Sequence, residues 1–235
     1  MVIRLDKYLS DLGIASRKEI RQIVKAGRVS VDGRILCVPE EKVVPEQNAV
    51  ALDGVLLFYR RFRYFAMDKP AGVLTAATDR KQKTVLDLLP EDLRNLGLFP
   101  VGRLDKDTSG LLLLTNDGEF AHKVISPRYE ISKRYYAETE GIPDARDVKA
   151  FSDGIELKDG LHCKSAELIP SGENHCEVVI REGKYHQVRR MLASVGKPVI
   201  ALRRLSIGAL ELSRLPLEAG ICELSQEQLN LIFIK

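Results

Sequence analysis

The stretch GRLDKDTSGLLLLTNDG, residues 102–118, joins a turn that carries two acids to a run of four leucines. A short apolar run bounded by turn residues is typical of a buried strand. Asp105 and Asp107 precede this run, so their carboxylates are expected where a core strand begins. Their spacing alone favours turn structure over catalysis, because the two carboxylates of a glycosidase must lie on either side of the bond that breaks.

The patterns on both sides of this stretch predict strands in runs and not in regular alternation with helices. This arrangement indicates an α+β fold with a mixed, mainly antiparallel sheet flanked by helices. The predicted strands are 63–70, 110–117, 129–141 and 198–212, with a hairpin of 161–169 and 174–181, and the predicted helices are 84–90, 119–127, 144–155, 186–196 and 225–234.

The N-terminal residues predict a small unit of two helices and hairpins. Leu5, Leu9 and Leu12 form a helical stripe, and Ser16 with Glu19 forms a capping box before a second amphipathic helix. The Asp-Gly pairs at 32–33 and 53–54 are two-residue hairpin turns. We therefore expect an N-terminal domain over residues 1–59 and a second domain over residues 60–235.

Basic residues concentrate in two islands, although the net charge is only +3. Residues 1–35 contain eight Lys or Arg and four acids, and residues 178–204 contain seven Lys or Arg and one acid. Two basic islands favour a polyanion as partner, and the alternative is a solvated charged face. In and just after the second helix the basic residues fall largely off the apolar stripe, as expected of a phosphate-binding face: Arg17, Lys18, Arg21, Lys25 and Arg28.

The sequence lacks the motifs of several functional classes of protein. The sequence contains no GxGxxG or GxxxxGK[ST] loop, no HExxH pattern and no CxxC pair. The His-Cys pairs at 162–163 and 175–176 lack the spacing of zinc ligands. We expect neither a metal nor another cofactor. With no long apolar run and a charged N-terminus, we expect a cytoplasmic monomer without membrane contact.

Seven segments resemble known protein families. RLDKYL, SRKEIRQIVKAGRVSVDG and AVALDG resemble the RNA-binding domain named after ribosomal protein S4. The stretch GRLDKDTSGLLLLTNDG resembles the signature loop of the RsuA family of pseudouridine synthases, and DKPAGVLT (68–75), KRYYAE (133–138) and EGKYHQVRRML (182–192) match further motifs of that family in the same order. The resemblance implies an enzyme that isomerises a uridine of RNA without any cofactor.

The resemblance also implies site residues. Asp105 would be the essential acid, attacking the ribose or the uracil or taking a proton from the sugar. Tyr135 would stack on the flipped base, and Arg189 would be the basic residue of the site with Asp105 as its partner. The residues expected to contact RNA near this site are Arg103, Lys69, His186 and Gln187. Without the family, a core tyrosine is the more usual interpretation of Tyr135 and a surface arginine that of Arg189. The other residues are then turn, strand-end or helix-cap residues.

The N-terminal domain without a long basic tail at the end of the sequence looks most like the enzymes that modify 16S ribosomal RNA. The partner is therefore expected to be small-subunit RNA or an assembly intermediate. The alternatives are a 23S rRNA or tRNA pseudouridine synthase of the same family and a non-catalytic RNA-binding or ribosome-assembly factor. A glycoside hydrolase has no support beyond an acid in a loop.

Overall fold

A computed structural model describes residues 1–234, and its contacts divide the chain into two compact units. The first unit comprises Met1–Arg63 and Leu88–Phe99, and the second comprises the remaining segments. The predicted boundary between residues 59 and 60 stays a prediction. The contacts place the division after Arg63 and add Leu88–Phe99 to the first unit.

The described residues form six α-helices, seventeen strands and four short 3₁₀ helices. The α-helices are α1 (Leu5–Asp11), α2 (Arg17–Lys25), α3 (Gly118–Ile125), α4 (Ala145–Asp153), α5 (Gln187–Ser194) and α6 (Gln226–Leu231). The strands are β1 (Ile3–Arg4), β2 (Val29–Val31), β3 (Arg34–Leu36), β4 (Lys42–Val43), β5 (Val50–Leu52), β6 (Val55–Leu56), β7 (Tyr64–Lys69), β8 (Phe99–Val101), β9 (Thr108–Thr115), β10 (Lys133–Thr139), β11 (Ile155–Glu156), β12 (His162–Cys163), β13 (Glu167–Pro170), β14 (His175–Ile180), β15 (Val199–Ile207), β16 (Leu210–Glu211) and β17 (Ile221–Glu223). The 3₁₀ helices are Val85–Leu88, Glu91–Leu96, Pro127–Tyr129 and Leu212–Arg214.

The first unit has the predicted helices and hairpins. Helix α2 begins at the predicted capping box, in which the Ser16 hydroxyl accepts from the Glu19 amide and the Glu19 carboxylate accepts from the Ser16 amide. A four-stranded sheet in the order β3-β2-β5-β6 contains both hairpins. Asp32 and Asp53 have φ near +50°, followed each time by a glycine, as these turns require.

The second unit is built on a nine-stranded sheet. Its main path runs β13-β14-β10-β15-β9-β7-β17, with β16 beside β15 and β8 beside β9. Strands β9 and β15 are parallel, whereas β10 is antiparallel to both of its neighbours. Strand β9 carries the leucine run, and Leu111 to Leu114 are buried. The predicted α+β class with a mainly antiparallel sheet is confirmed.

The structure corrects two element predictions. His162–Cys163 pairs with Ile155–Glu156, so the hairpin at β14 contains only Glu167–Pro170 on its other side. The chain between β12 and β13 leaves the ladder because the Lys164 amide donates to Glu182 and the Ala166 amide to Phe151. The predicted helix at 84–90 is a single 3₁₀ turn. Among residues 1–234, no helix is both long and apolar enough to cross a membrane.

Candidate active site

Asp105 lies in the turn before β9, at a small cleft of the second unit. Its carboxylate is 34% exposed, so it is open to a ligand without being free in solution. The cleft has a volume of about 80 Å³. Pockets for whole small molecules reach roughly 300–1,000 Å³, so this one has room for a single flat ring at most. Its lining includes Arg103, Asp105, Thr108, Tyr135, His186 and Arg189.

Lys69, at the end of β7, fixes the turn that carries Asp105. The Lys69 side chain is fully buried, and its ammonium group donates to four backbone carbonyls at 2.8–3.2 Å. Those carbonyls belong to Pro70, Asp105, Lys106 and Thr108. Burial lowers the pKa of Lys69, and the nearby carboxylates of Asp107 and Asp105 oppose this shift.

Thr75 holds the same turn from the other end of the DKPAGVLT segment. Its hydroxyl donates to the Leu104 carbonyl at 2.7 Å and accepts from the Leu104 amide at 3.2 Å. The Gly72 amide donates to the Lys106 carbonyl at 2.8 Å. The DKPAGVLT segment therefore acts by fixing the backbone on both sides of Asp105. Thr75 lies within this sequence motif, but the motif does not predict its contact with Leu104.

Tyr135 projects from β10 into the cleft and is 8% exposed. Its backbone lies between Val178 of β14 and Arg204 of β15 in the sheet. The Arg204 guanidinium donates to the Tyr135 hydroxyl at 3.4 Å, and its central carbon is 6.0 Å from the ring centre. Arg204 is 4% exposed and is not among the site residues predicted from the sequence. The available signal was an arginine at an inward position of the alternating strand Leu202–Arg204–Ser206.

The structure gives Asp105 a different partner from the predicted one. Arg189, in the first turn of α5, donates to the backbone carbonyls of Asp107 and Val199, each at 3.4 Å. The imidazole of His186 instead lies 3.3 Å from the Asp105 carboxylate and forms an ion pair when it is protonated. His186 has a φ of +47° and stacks on Tyr185, which is 75% exposed. The left-handed backbone turns the chain so that the imidazole reaches Asp105.

Two of the predicted RNA contacts disagree with the structure. The ammonium of Lys69 cannot reach a phosphate because it is buried under the Asp105 turn. Gln187 is 4% exposed, and its amide bonds to the Glu182 carboxylate, the Met191 sulfur and the Lys184 backbone. Both residues shape the site from inside. Arg103 is exposed at the cleft and remains accessible.

The five basic residues predicted on the first unit, Arg17, Lys18, Arg21, Lys25 and Arg28, are all exposed. Three of them, Arg17, Lys18 and Arg21, line a cleft of about 670 Å³ together with residues of α1. Arg21 lies 3.6–3.8 Å from Glu40 and Asp6, and Arg28 pairs with Asp53. Arg17, Lys18 and Lys25 have no ion pair within residues 1–234. The surface therefore keeps cations available to an anionic partner.

Within the described part of the chain, no three His, Cys, Asp or Glu side chains come together as metal ligands do. The four cysteines are free thiols. Burial raises the pKa of the Cys176 thiol to about 11, which leaves it unreactive at neutral pH.

Comparison with known proteins places this geometry in a family. The model for RNA pseudouridylate synthase matches residues 63–194, and the model for the S4 domain matches residues 3–47. An uncharacterized RNA pseudouridine synthase, YtzG, of Bacillus subtilis (strain 168) is 41% identical and covers 98% of both chains. A solved pseudouridylate synthase has a TM-score of 0.68 at 28% identity, over 98% of this chain and 99% of its own.

Two relatives with stated ribosomal substrates also match. Ribosomal large subunit pseudouridine synthase B of Bacillus subtilis (strain 168) is 38% identical over 86% of this chain and 84% of its own. Ribosomal small subunit pseudouridine synthase A of Pseudomonas aeruginosa is 36% identical over 88% of this chain and 90% of its own. The chain thus belongs to the RNA pseudouridine synthase family, of the RsuA-like type with an N-terminal S4 domain. It is an enzyme that acts on RNA.

Proposed function

We propose that this enzyme converts one specific uridine of 16S ribosomal RNA to pseudouridine, with Asp105 as its essential carboxylate. The observation that carries the proposal is the position of Asp105, which is partly exposed in a ring-sized cleft with Tyr135 and Arg189. Asp107, two residues away, is exposed and outside that lining. This difference in position supports Asp105 over Asp107 as the catalytic acid.

The reaction is an isomerisation and balances without a co-reactant. The bond from N1 of uracil to C1′ of ribose breaks, the base turns, and C5 bonds to C1′. The hydrogen on C5 leaves as a proton, and N1 gains one. In this reaction a carboxylate acts as a nucleophile toward the ribose or the uracil, or as a general base that takes a proton from the sugar. Each of these roles needs a carboxylate that is fixed in place and open on one side.

The size of the cleft requires the target base to leave its stack in the RNA. Enzymes that act on a base inside a helix extrude the nucleotide and hold its ring against aromatic side chains. Tyr135 supplies the aromatic wall, and Arg103 at the rim contacts the phosphate or fills the space that the base vacates. Arg189 holds the start of α5 against the Asp105–Thr108 turn through the Asp107 carbonyl.

The S4 domain supplies the second RNA contact. Phosphate contacts give affinity and register without reading sequence, and the exposed cations of α2 suit that task. We expect a cytoplasmic monomer that binds folded ribosomal RNA through Arg17, Lys18, Arg21, Lys25 and Arg28 while the cleft holds one nucleotide.

A second candidate substrate is 23S ribosomal RNA. The large-subunit relative is 38% identical and the small-subunit relative 36% identical, whereas the small-subunit relative is matched over more of its own length. The greater coverage favours 16S RNA, and the greater identity favours 23S RNA.

Tritium release separates these substrates. Transcripts of 16S and 23S RNA are labelled at C5 of uridine and incubated with the enzyme, both naked and after partial assembly with ribosomal proteins. We expect release from 16S RNA that stops at one equivalent per transcript. Release from 23S RNA alone would contradict the proposed substrate and leave the activity intact. Release from neither RNA, with RNA binding retained, would contradict ribosomal RNA as the substrate class.

A further inference from the structure

A row of side chains crosses the sheet directly behind the cleft. Lys69 of β7 is paired with Gly110 of β9, Gly110 with Arg204 of β15, and Arg204 with Tyr135 of β10. Directly paired residues place their side chains on the same face of a sheet. Gly110 has no side chain, so the Arg204 side chain lies across β9 and its Nε donates to the Leu111 carbonyl at 2.7 Å.

Arg204 is a buried cation without an acidic partner. Its residue is 4% exposed, and among the described residues it forms no ion pair, whereas its neighbour Arg203 pairs with Asp68 at 2.7 Å. The Nη2 atom of Arg204 is buried and has no hydrogen-bond partner among residues 1–234. An unpaired buried charge costs stability, so the burial of Arg204 favours a role in the site over a role in stability.

The surroundings of Arg204 add to this cost. Lys133 lies in the same strand as Tyr135, two residues earlier, and on the same face. The pKa of the Lys133 ammonium is lowered to about 8, first by burial and then by the charge of Arg204. Lys133 and Arg204 therefore repel one another, and among the described residues neither forms an ion pair with a carboxylate. Stability alone does not explain this arrangement.

We propose that Arg204 is a positioning residue that sets the direction of the Tyr135 hydroxyl. A guanidinium has only hydrogen-bond donors, so the contact of its Nη1 with Tyr135 makes the phenol oxygen the acceptor. The phenol proton must then point away from Arg204, and the open side of Tyr135 is the cleft that contains Asp105. Arg204 thus presents Tyr135 as a donor toward the bound nucleotide. This inference rests on the proposed function of the cleft.

The first test replaces Arg204 with Met and with Lys, and uses Arg203→Met as the matched control. Arg203 is adjacent in sequence, lies on the opposite face of β15 and is half-exposed. We expect Arg204→Met to lower kcat for tritium release about 10- to 100-fold, because a misdirected catalytic group costs about that factor. KM should change less than about threefold, and Lys should recover part of the loss because it keeps the charge and one donor.

The second test asks whether Arg204 acts through Tyr135. In a Tyr135→Phe background, Arg204→Met should lower the rate by less than about threefold, since residues that act together are not additive. Equal factors in the two backgrounds would overturn the proposal, as would a kcat for Arg204→Met no lower than that of Arg203→Met. A melting temperature for Arg204→Met more than about 10 °C below wild type would assign Arg204 to stability, and would also overturn it.

A third measurement does not depend on activity. Tyrosine labelled with carbon-13 at the ring carbon that bears the hydroxyl gives one NMR signal for each tyrosine, and Tyr135→Phe identifies the signal of Tyr135. We expect Arg204→Met to shift this signal and Arg203→Met to leave it unchanged. An unshifted signal would overturn the proposal. A shifted signal with no tritium release from either ribosomal RNA would instead contradict the proposed function and retain the contact.

Discussion

Arg17 and Lys18 on α2 are exposed to solvent, whereas Lys69 and Arg204 in the nine-stranded sheet are almost completely buried. The exposed cations face a broad cleft of about 670 Å³, and the buried ones lie behind one of about 80 Å³. Charge in solvent attracts an anion over a distance and is screened by salt, while buried charge fixes the geometry of its neighbours. The first unit is suited to affinity and the second to chemistry.

Replacing Asp105 with Asn should produce the largest effect and test this division directly. The change removes the carboxylate at nearly constant shape, so turnover should fall about 10⁴-fold or more while RNA affinity changes little. Asp107→Asn is the matched control, because Asp107 is exposed and does not line the cleft. Tritium release and filter binding measure the two quantities. Comparable losses from both substitutions would mean that Asp105 is not the catalyst.

Reversing three charges of α2 should weaken RNA binding and leave turnover unchanged, which is the opposite of the outcome expected for Asp105→Asn. Arg17, Lys18 and Arg21 changed together to Glu should weaken RNA binding about 10- to 100-fold and reduce its salt slope by roughly two units. The rate at saturating RNA should be unchanged. Arg146, Lys149 and Arg214 are exposed residues of the second unit, and changing them to Glu alters the net charge equally. Equal losses from both triple variants would indicate a general charge effect and not a binding surface.

Lys133 offers a smaller effect that depends on pH. Its pKa is about 8 in the folded chain and near 10.5 when unfolded, so between these values the unfolded chain binds more protons. Wild-type stability therefore gains from this group as pH rises from 8 to 10. Lys133→Met should melt higher than wild type at pH 7 by a few degrees, and this advantage should shrink over that range.

Lys149→Met is the control for this measurement, because the Lys149 side chain is 76% exposed on α4. Its melting temperature relative to wild type should be the same at every pH between 7 and 10. If the difference in melting temperature between Lys133→Met and wild type is also independent of pH, burial does not lower the pKa of Lys133.

The fold was predictable because its signals are local. The Ser16–Glu19 capping box, the two Asp-Gly turns and the leucine run each specify their own element, and all are present. The α+β class follows from these elements in order. The hairpin prediction was wrong at His162–Cys163 because the next amides along the chain donate outside the hairpin. Their acceptors, the Glu182 carboxylate and the Phe151 carbonyl, are distant in sequence.

The site was less predictable because its side chains meet across strands. Family motifs brought Asp105, Tyr135 and Arg189 to notice, and the structure places all three at one cleft. They could not show that Lys69 is turned inward, that His186 reaches Asp105, or that Arg204 lies behind Tyr135. Each of these contacts depends on the register of the sheet and on backbone direction, which residue identities alone do not specify.

The parallel pairing of β9 with β15 determines when the cleft can form. Thr108 pairs with Leu202 and Gly110 with Arg204, so most of the second unit intervenes between the two strands. Closing so long a loop is slow, and such contacts form late in folding. During synthesis, strand β9, which follows the Asp105 turn, has no partner on that side until residue 204 has emerged from the ribosome. The cleft at Asp105 is therefore incomplete on any growing chain that still lacks Arg204.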